Sequence, residues 1–98
     1  MTLEVRVRPE AEEDIADAAT WYEDQLPGLG QDFLDQVLEK LLSIAKQPEM
    51  FPVVYKDIRR ALLNRFPFAI YYRKETDAIV VLAVIHGSRN PRHWKKRT

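Results

Sequence analysis

Residues 78–86 read AIVVLAVIH, the most apolar run in the chain. A strand with one wet face alternates apolar and polar positions, and this run does not alternate. It predicts a strand buried on both faces, lying centrally in a sheet. Thr76-Asp77 before it suits a hairpin turn, and FAIYYRKE (68–75) is rich in the aromatic and branched residues that favour strands. IRRALLNRF (58–66) reads as a further short strand and a turn. Together the three runs predict a three-strand antiparallel meander.

Upstream, LEVRV (3–7) sets Leu3, Val5 and Val7 against Glu4 and Arg6, the period-two pattern of a half-buried strand. Pro9 fits the first turn of a helix, and Glu10, Glu12, Glu13 and Asp14 suit the positive end of its dipole. Ala11, Ile15, Ala18 and Tyr22 then form one apolar stripe. LPGLG (26–30) breaks this helix, and a second one follows with a broad apolar face of Phe33, Leu34, Val37, Leu38, Leu41, Leu42, Ile44 and Ala45. Gln47-Pro48 ends it. So short a connection predicts an antiparallel helical hairpin. The expected architecture is α+β: an N-terminal strand, the hairpin, then the meander, with the helices on one face of an antiparallel sheet. Residues 1–98 are read as a single domain, with no repeat or linker.

Hydrophobic and charged contents of 46% and 31% exclude a disordered chain. Without cysteine there is neither a disulfide nor a thiolate metal ligand. MTLEVRVRPEAEED has no apolar segment behind basic residues, and the run from Ala78 to Ile85 is too short to span a bilayer. A cytoplasmic, soluble protein with no membrane partner is expected. The formal net charge of zero hides a polarity along the chain. Residues 1–50 hold four basic against twelve acidic side chains, and residues 51–98 hold eleven basic against three acidic. A basic side of that kind would attract an acidic peptide or a nucleic acid; equally, the halves neutralise each other across the fold.

The tail IHGSRNPRHWKKRT (85–98) concentrates the chemistry. His86 can serve as acid or base near neutrality, and Arg89 can hold a phosphate. The alternative is structural: His86 capping a strand end and Arg89 pairing with a carboxylate. His86 and His93 lie seven apart with no nearby carboxylate in the segment, which gives no metal site. No phosphate-binding glycine loop and no serine nucleophile motif occurs, and no cofactor is expected.

Three stretches, DIADAATWYEDQLPGLGQDFL (14–34), FPVVYKDIRRALLNRFPFAIYYRKE (51–75) and IVVLAVIHGSRNPRHW (79–94), resemble in order and spacing the RelE/ParE superfamily of toxins from bacterial type II toxin–antitoxin systems. The likeness is to its ParE-like branch, the plasmid stabilisation proteins. It implies a toxin neutralised by a cognate antitoxin in a heteromeric complex. The ParE-like branch poisons DNA gyrase and is not known as a hydrolase; the RelE-like branch cuts mRNA on the ribosome. The RelE-like pattern of aromatic-Arg-Leu-x-Tyr is met here by Phe68-Ala69-Ile70-Tyr71-Tyr72, so Ala69 stands where the arginine would be. The C-terminal tyrosine of those nucleases is also missing, Tyr72 being the last.

The resemblance therefore implies a gyrase inhibitor with no catalytic residues. Two rivals stay open: a metal-independent, ribosome-dependent endoribonuclease using His86 and Arg89 with Arg73 or Arg60, and a degenerate, non-toxic antitoxin-binding member. For partner binding, Arg59, Arg60, Arg65, Arg89, Arg92, Lys95 and Lys96, with Arg97, are expected to form a positive surface near the sheet edge. Trp21 beside the apolar stripe either anchors a partner or packs on the adjoining helix. Trp94 is expected to fold back on the sheet and pin the tail.

Overall fold

The computed structural model describes residues 2–98, with elements in the order β1 (Glu4–Val7), α1 (Pro9–Gln25), α2 (Leu29–Lys46), β2 (Val53–Tyr55), β3 (Ile58–Leu62), β4 (Phe68–Lys74), β5 (Ala78–His86) and α3 (Arg92–Lys95). The strands form one five-stranded sheet in the order β1-β5-β4-β3-β2. β5 is thus an inner strand with helices over one face, and Ala78 through Ile85 are all buried. That double burial is why the run carries no polar alternation. β3, β4 and β5 form the expected antiparallel meander.

Two details of the sheet differ from expectation. β1 lies parallel to β5, Glu4 beside Ala78 through Val7 beside Val81, so the sheet is mixed and not antiparallel throughout. A tight turn would have forced an antiparallel neighbour; here the helical hairpin carries the chain across the sheet and leaves β1 free to align either way. The extra strand β2 pairs with β3 through a register shift. It is three residues long, too short to show a period.

α1 and α2 cover one face of the sheet. Ala11 and Ala18 of α1 and Phe33, Val37 and Ile44 of α2 join Ile70, Tyr72, Ile79, Val81 and Val84 in one buried cluster. Phe33 stands at its centre, with ring centroids 5.4 Å from Tyr22, 5.3 Å from Phe66 and 5.1 Å from Phe68. The hairpin is closed by chemistry within LPGLG. Gly28 takes φ +92°, the left-handed region that favours glycine. Its N–H donates to the Glu23 carboxylate at 3.0 and 3.1 Å, and the Gly30 N–H donates to Oε1 at 3.0 Å. Glu23 near the end of α1 therefore caps the start of α2. A Cβ at Gly30 would stand 2.6 Å from the Ala19 carbonyl oxygen, so the close crossing of the helices requires glycine there.

The other face has no long helix. Ile58, Ala69, Tyr71, Val80, Leu82, Ala83 and Ile85 are covered there by Trp94, with Val54 and Tyr55 packed alongside. Trp94 stacks on Tyr71 with centroids 4.5 Å apart and meets Tyr55 edge-on at 5.9 Å. The indole does fold back on the sheet as expected, from the single turn α3.

Candidate functional site

The tail reaches its place through a long-range clasp. Asp14 of α1 accepts the Val84 N–H at 3.0 Å and both ends of the Arg97 guanidinium, at 2.6 and 3.2 Å. Arg97 also donates to the Leu82 carbonyl at 3.2 Å, and Arg8 donates to the Arg97 carbonyl at 2.9 Å. The Asp14 hydrogen bond raises the Arg97 pKa above its ordinary value, with the carboxylate's charge adding to it. Both members are mostly buried, so this bidentate pair is little screened by solvent.

The clasp leaves a cleft of about 260 Å³ between α1, the end of β5 and the tail. Asp14, Asp17 and Ala18 form one wall, Val84, Ile85 and His86 with Phe68 the floor, and Arg89, His93 and Arg97 the other wall. The His86 ring meets Phe68 edge-on at 5.5 Å. Its Nδ1 accepts the Ser88 N–H at 3.1 Å and lies 2.7 Å from the Ser88 hydroxyl. An acceptor at Nδ1 puts the neutral ring's proton on Nε2, so the ring has an N–H to offer.

The structure brings His86 and Arg89 into one cleft and adds His93. Arg73 is elsewhere: it pairs with Val80 in register, while His86 is opposite Phe68 at the far end of β4, and its guanidinium is 3.5 Å from Glu75. The basic residues do not form one patch. Arg59 and Arg60 lie opposite Tyr72 and Tyr71, on opposite faces of the sheet. Arg59 turns inward and donates to the Glu49 and Phe51 carbonyls at 3.1 and 2.6 Å. Arg65 lies over the Phe66 ring, 3.7 Å from Asp32. Lys95 stands 4.6 Å over the Tyr55 ring, Arg92 and Lys96 are exposed, and Arg97 is held in the clasp. Trp21 is 57% exposed, touching Tyr22 edge-on at 5.1 Å.

Two groups relevant to nuclease chemistry are also placed. Ala69 is fully buried on the tail-covered face. Tyr72 is buried on the helix-covered face, where its hydroxyl donates to the Pro48 carbonyl at 2.5 Å. Burial pushes its pKa up to about 12, far from any acid–base work near neutrality. Among the described residues no cluster of three metal-ligating side chains occurs, and no helix is long and apolar enough to cross a membrane.

One surface went unread in the sequence. The broad apolar face of α2 is only partly covered: Leu34, Leu38 and Leu42 are 37%, 58% and 53% exposed. Spaced by four, they form a ridge along the helix. A groove of about 510 Å³ continues it between the helices, lined by Val7, Ile15, Ala16, Ala19 and Leu34 among others. The width of the stripe was the available signal, since it exceeds what one sheet face can cover.

Residues 5–91 match the family model described as ParE toxin of type II toxin–antitoxin system, parDE. The protein called Toxin ParE2 from Mycobacterium tuberculosis, in two strains, is 34% identical over 95 residues, covering 93% of this chain and 88% of its own length. Among solved structures, a chain of the chromosomal ParDE toxin–antitoxin system of P. aeruginosa matches with a TM-score of 0.77 at 16% identity, over 87% of this chain and 96% of that one. A chain of the RelBE2 toxin–antitoxin complex of Mycobacterium tuberculosis matches with a TM-score of 0.62 at 19% identity, over 88% and 92%. These two likenesses concern the fold.

Proposed function

The chain belongs to the ParE toxin family of type II toxin–antitoxin systems, and we propose that it acts as a gyrase-directed inhibitor held silent by a cognate antitoxin. The observation that favours gyrase over mRNA is chemical. Metal-free RNA cleavage needs a base, an acid and a cation converging on one phosphate. Here the position of the nuclease arginine holds buried Ala69, and the last tyrosine is locked against Pro48 in the core.

The antitoxin's place, on this reading, is the Leu34–Leu38–Leu42 ridge with its groove. An amphipathic helix laying its apolar side on such a ridge is an ordinary mode of partner recognition. Exposed leucines of that extent on a small protein also call for a cover. Arg92, Lys95 and Lys96 add attraction for an acidic partner segment.

Induced expression without a partner tests the reading, with growth, plasmid integrity and mRNA followed together. Growth arrest with gyrase-dependent double-strand breaks and intact mRNA is expected. Codon-phased mRNA cuts lost in His86→Ala would transfer the function to the cleft as a nuclease centre. No arrest would leave an antitoxin-binding member without toxicity.

A further inference from the structure

The cleft at the end of β5 combines groups that no gyrase contact is needed to explain. We propose that it is a nucleotide-binding site, taking one phosphate between His86, His93 and Arg89 and stacking the attached base on Trp21. The proposal concerns binding alone: mRNA integrity tests cleavage and nucleotide affinity tests the site, so either can fail without the other.

The charges in the cleft sort into two sets. Asp14 and Arg97 neutralise each other at 2.6 Å and build the wall. Arg89 also lines the cleft, is exposed, and has no carboxylate within 4.0 Å among the described residues. An arginine lacking a protein partner beside two imidazoles suits a phosphate oxygen. The Ser88 N–H on His86 Nδ1 leaves Nε2–H as the ring's donor for a phosphate oxygen.

A bare phosphate would leave two features idle. Asp17 lines the same cleft and would repel an anion, yet a carboxylate is the acceptor a sugar hydroxyl or an exocyclic amine requires. Trp21 does not line the cleft, but it lies four residues from Asp17 and three from Ala18, on the same side of α1 and one helical turn further along it. It is 57% exposed, and its ring meets Tyr22 at 84° with centroids 5.1 Å apart. A half-exposed indole one helical turn beyond a cleft that holds an unpaired arginine is a platform on which the base of a bound nucleotide can stack. A nucleotide satisfies the cation, the acceptor and the ring together; neither a phosphate nor an aromatic alone does.

The source of the nucleotide is free mononucleotide or a single strand, and the test separates them. The full chain would be titrated with adenosine, 5′-AMP and an rA6 oligonucleotide carrying hydroxyl ends, reading tryptophan emission and binding heat. Trp94 is buried under the tail, so quenching reports Trp21. Saturable quenching by 5′-AMP but not adenosine is expected, weakened about tenfold in Arg89→Ala and about fivefold or more in Trp21→Ala by heat, in line with one charged contact and one stacked base. A strand site would bind rA6 tighter than 5′-AMP; a mononucleotide site would do the reverse. Arg89 and Trp21 are exposed, and an unchanged far-ultraviolet spectrum would establish that both variants fold. The proposal is overturned if adenosine binds as well as 5′-AMP, if neither phosphate-bearing ligand saturates, or if Arg89→Ala binds unchanged.

Discussion

On one face of the sheet Phe33 sits among Tyr22, Phe66 and Phe68, held by two helices of seventeen and eighteen residues. On the other, Trp94 stacks on Tyr71 from a helix of four residues that would not persist alone. The first cover is stable through its own area and amphipathic stripes. The second depends on Asp14, which fastens Arg97 from the helix that covers the opposite face of the sheet. One face is thus closed by packing and the other by packing plus an ion pair.

The largest effect that distinguishes the faces is expected at Phe33. Phe33→Ala should cost about 4 kcal/mol in urea unfolding, because the cavity opens amid three rings. A loss no greater than that of a tail variant would break the contrast. Asp14→Ala should cost about 2 kcal/mol, since it strands Arg97 and the Val84 N–H. Its signature is local: Trp94 emission should shift red before the helices melt. A single transition for both probes would mean the two covers form one cooperative unit.

Tyr72→Phe probes the helix face through its polar contact and should cost about 1 kcal/mol, the net worth of the Pro48 hydrogen bond. It carries a pH signature as well. Burial raises the folded pKa above the ordinary 10, so the native chain holds this proton longer than the unfolded one. Stability from it is complete below pH 10 and fades as pH rises towards about 12. Tyr72→Phe should therefore flatten the alkaline limb, leaving the part due to Tyr22, whose pKa burial also raises. The smallest stability change belongs to Leu38→Ser on the exposed ridge, within about 0.5 kcal/mol. On the reading proposed above, the same variant should lose at least about tenfold in antitoxin affinity, about 1.4 kcal/mol. Retained affinity would remove the ridge from the interface.

The helix-covered face was legible because its signals are local. The Ala11–Ile15–Ala18–Tyr22 stripe, the LPGLG break and the unbroken AIVVLAVI run each report their own surroundings. The parallel placement of β1 was not, since a strand's pattern is the same whichever way its neighbour runs. Basic residues misled for a related reason: Arg59, Arg60 and Arg97 look alike in sequence, yet the first caps a loop, the second shares the Trp94 face and the third closes the clasp. Charge is visible in a sequence; the partner that uses it is not. The cleft lay between these cases, with His86 and Arg89 evident and Asp14 and Asp17 distant along the chain.

The parallel pairing of β1 with β5 has a consequence in time. Glu4 meets Ala78 only after nearly the whole chain has been threaded between them, whereas β4 and β5 meet across a short turn. Closing the longer loop costs more entropy and gains little until the meander exists, so the first strand made should be the last to dock. Val5→Ala would then accelerate unfolding while hardly slowing folding. Until that docking, the outer edge of β5 at Ile79–Val81 is an unpaired row of amide groups, and the nascent protein carries its most aggregation-prone strand uncovered.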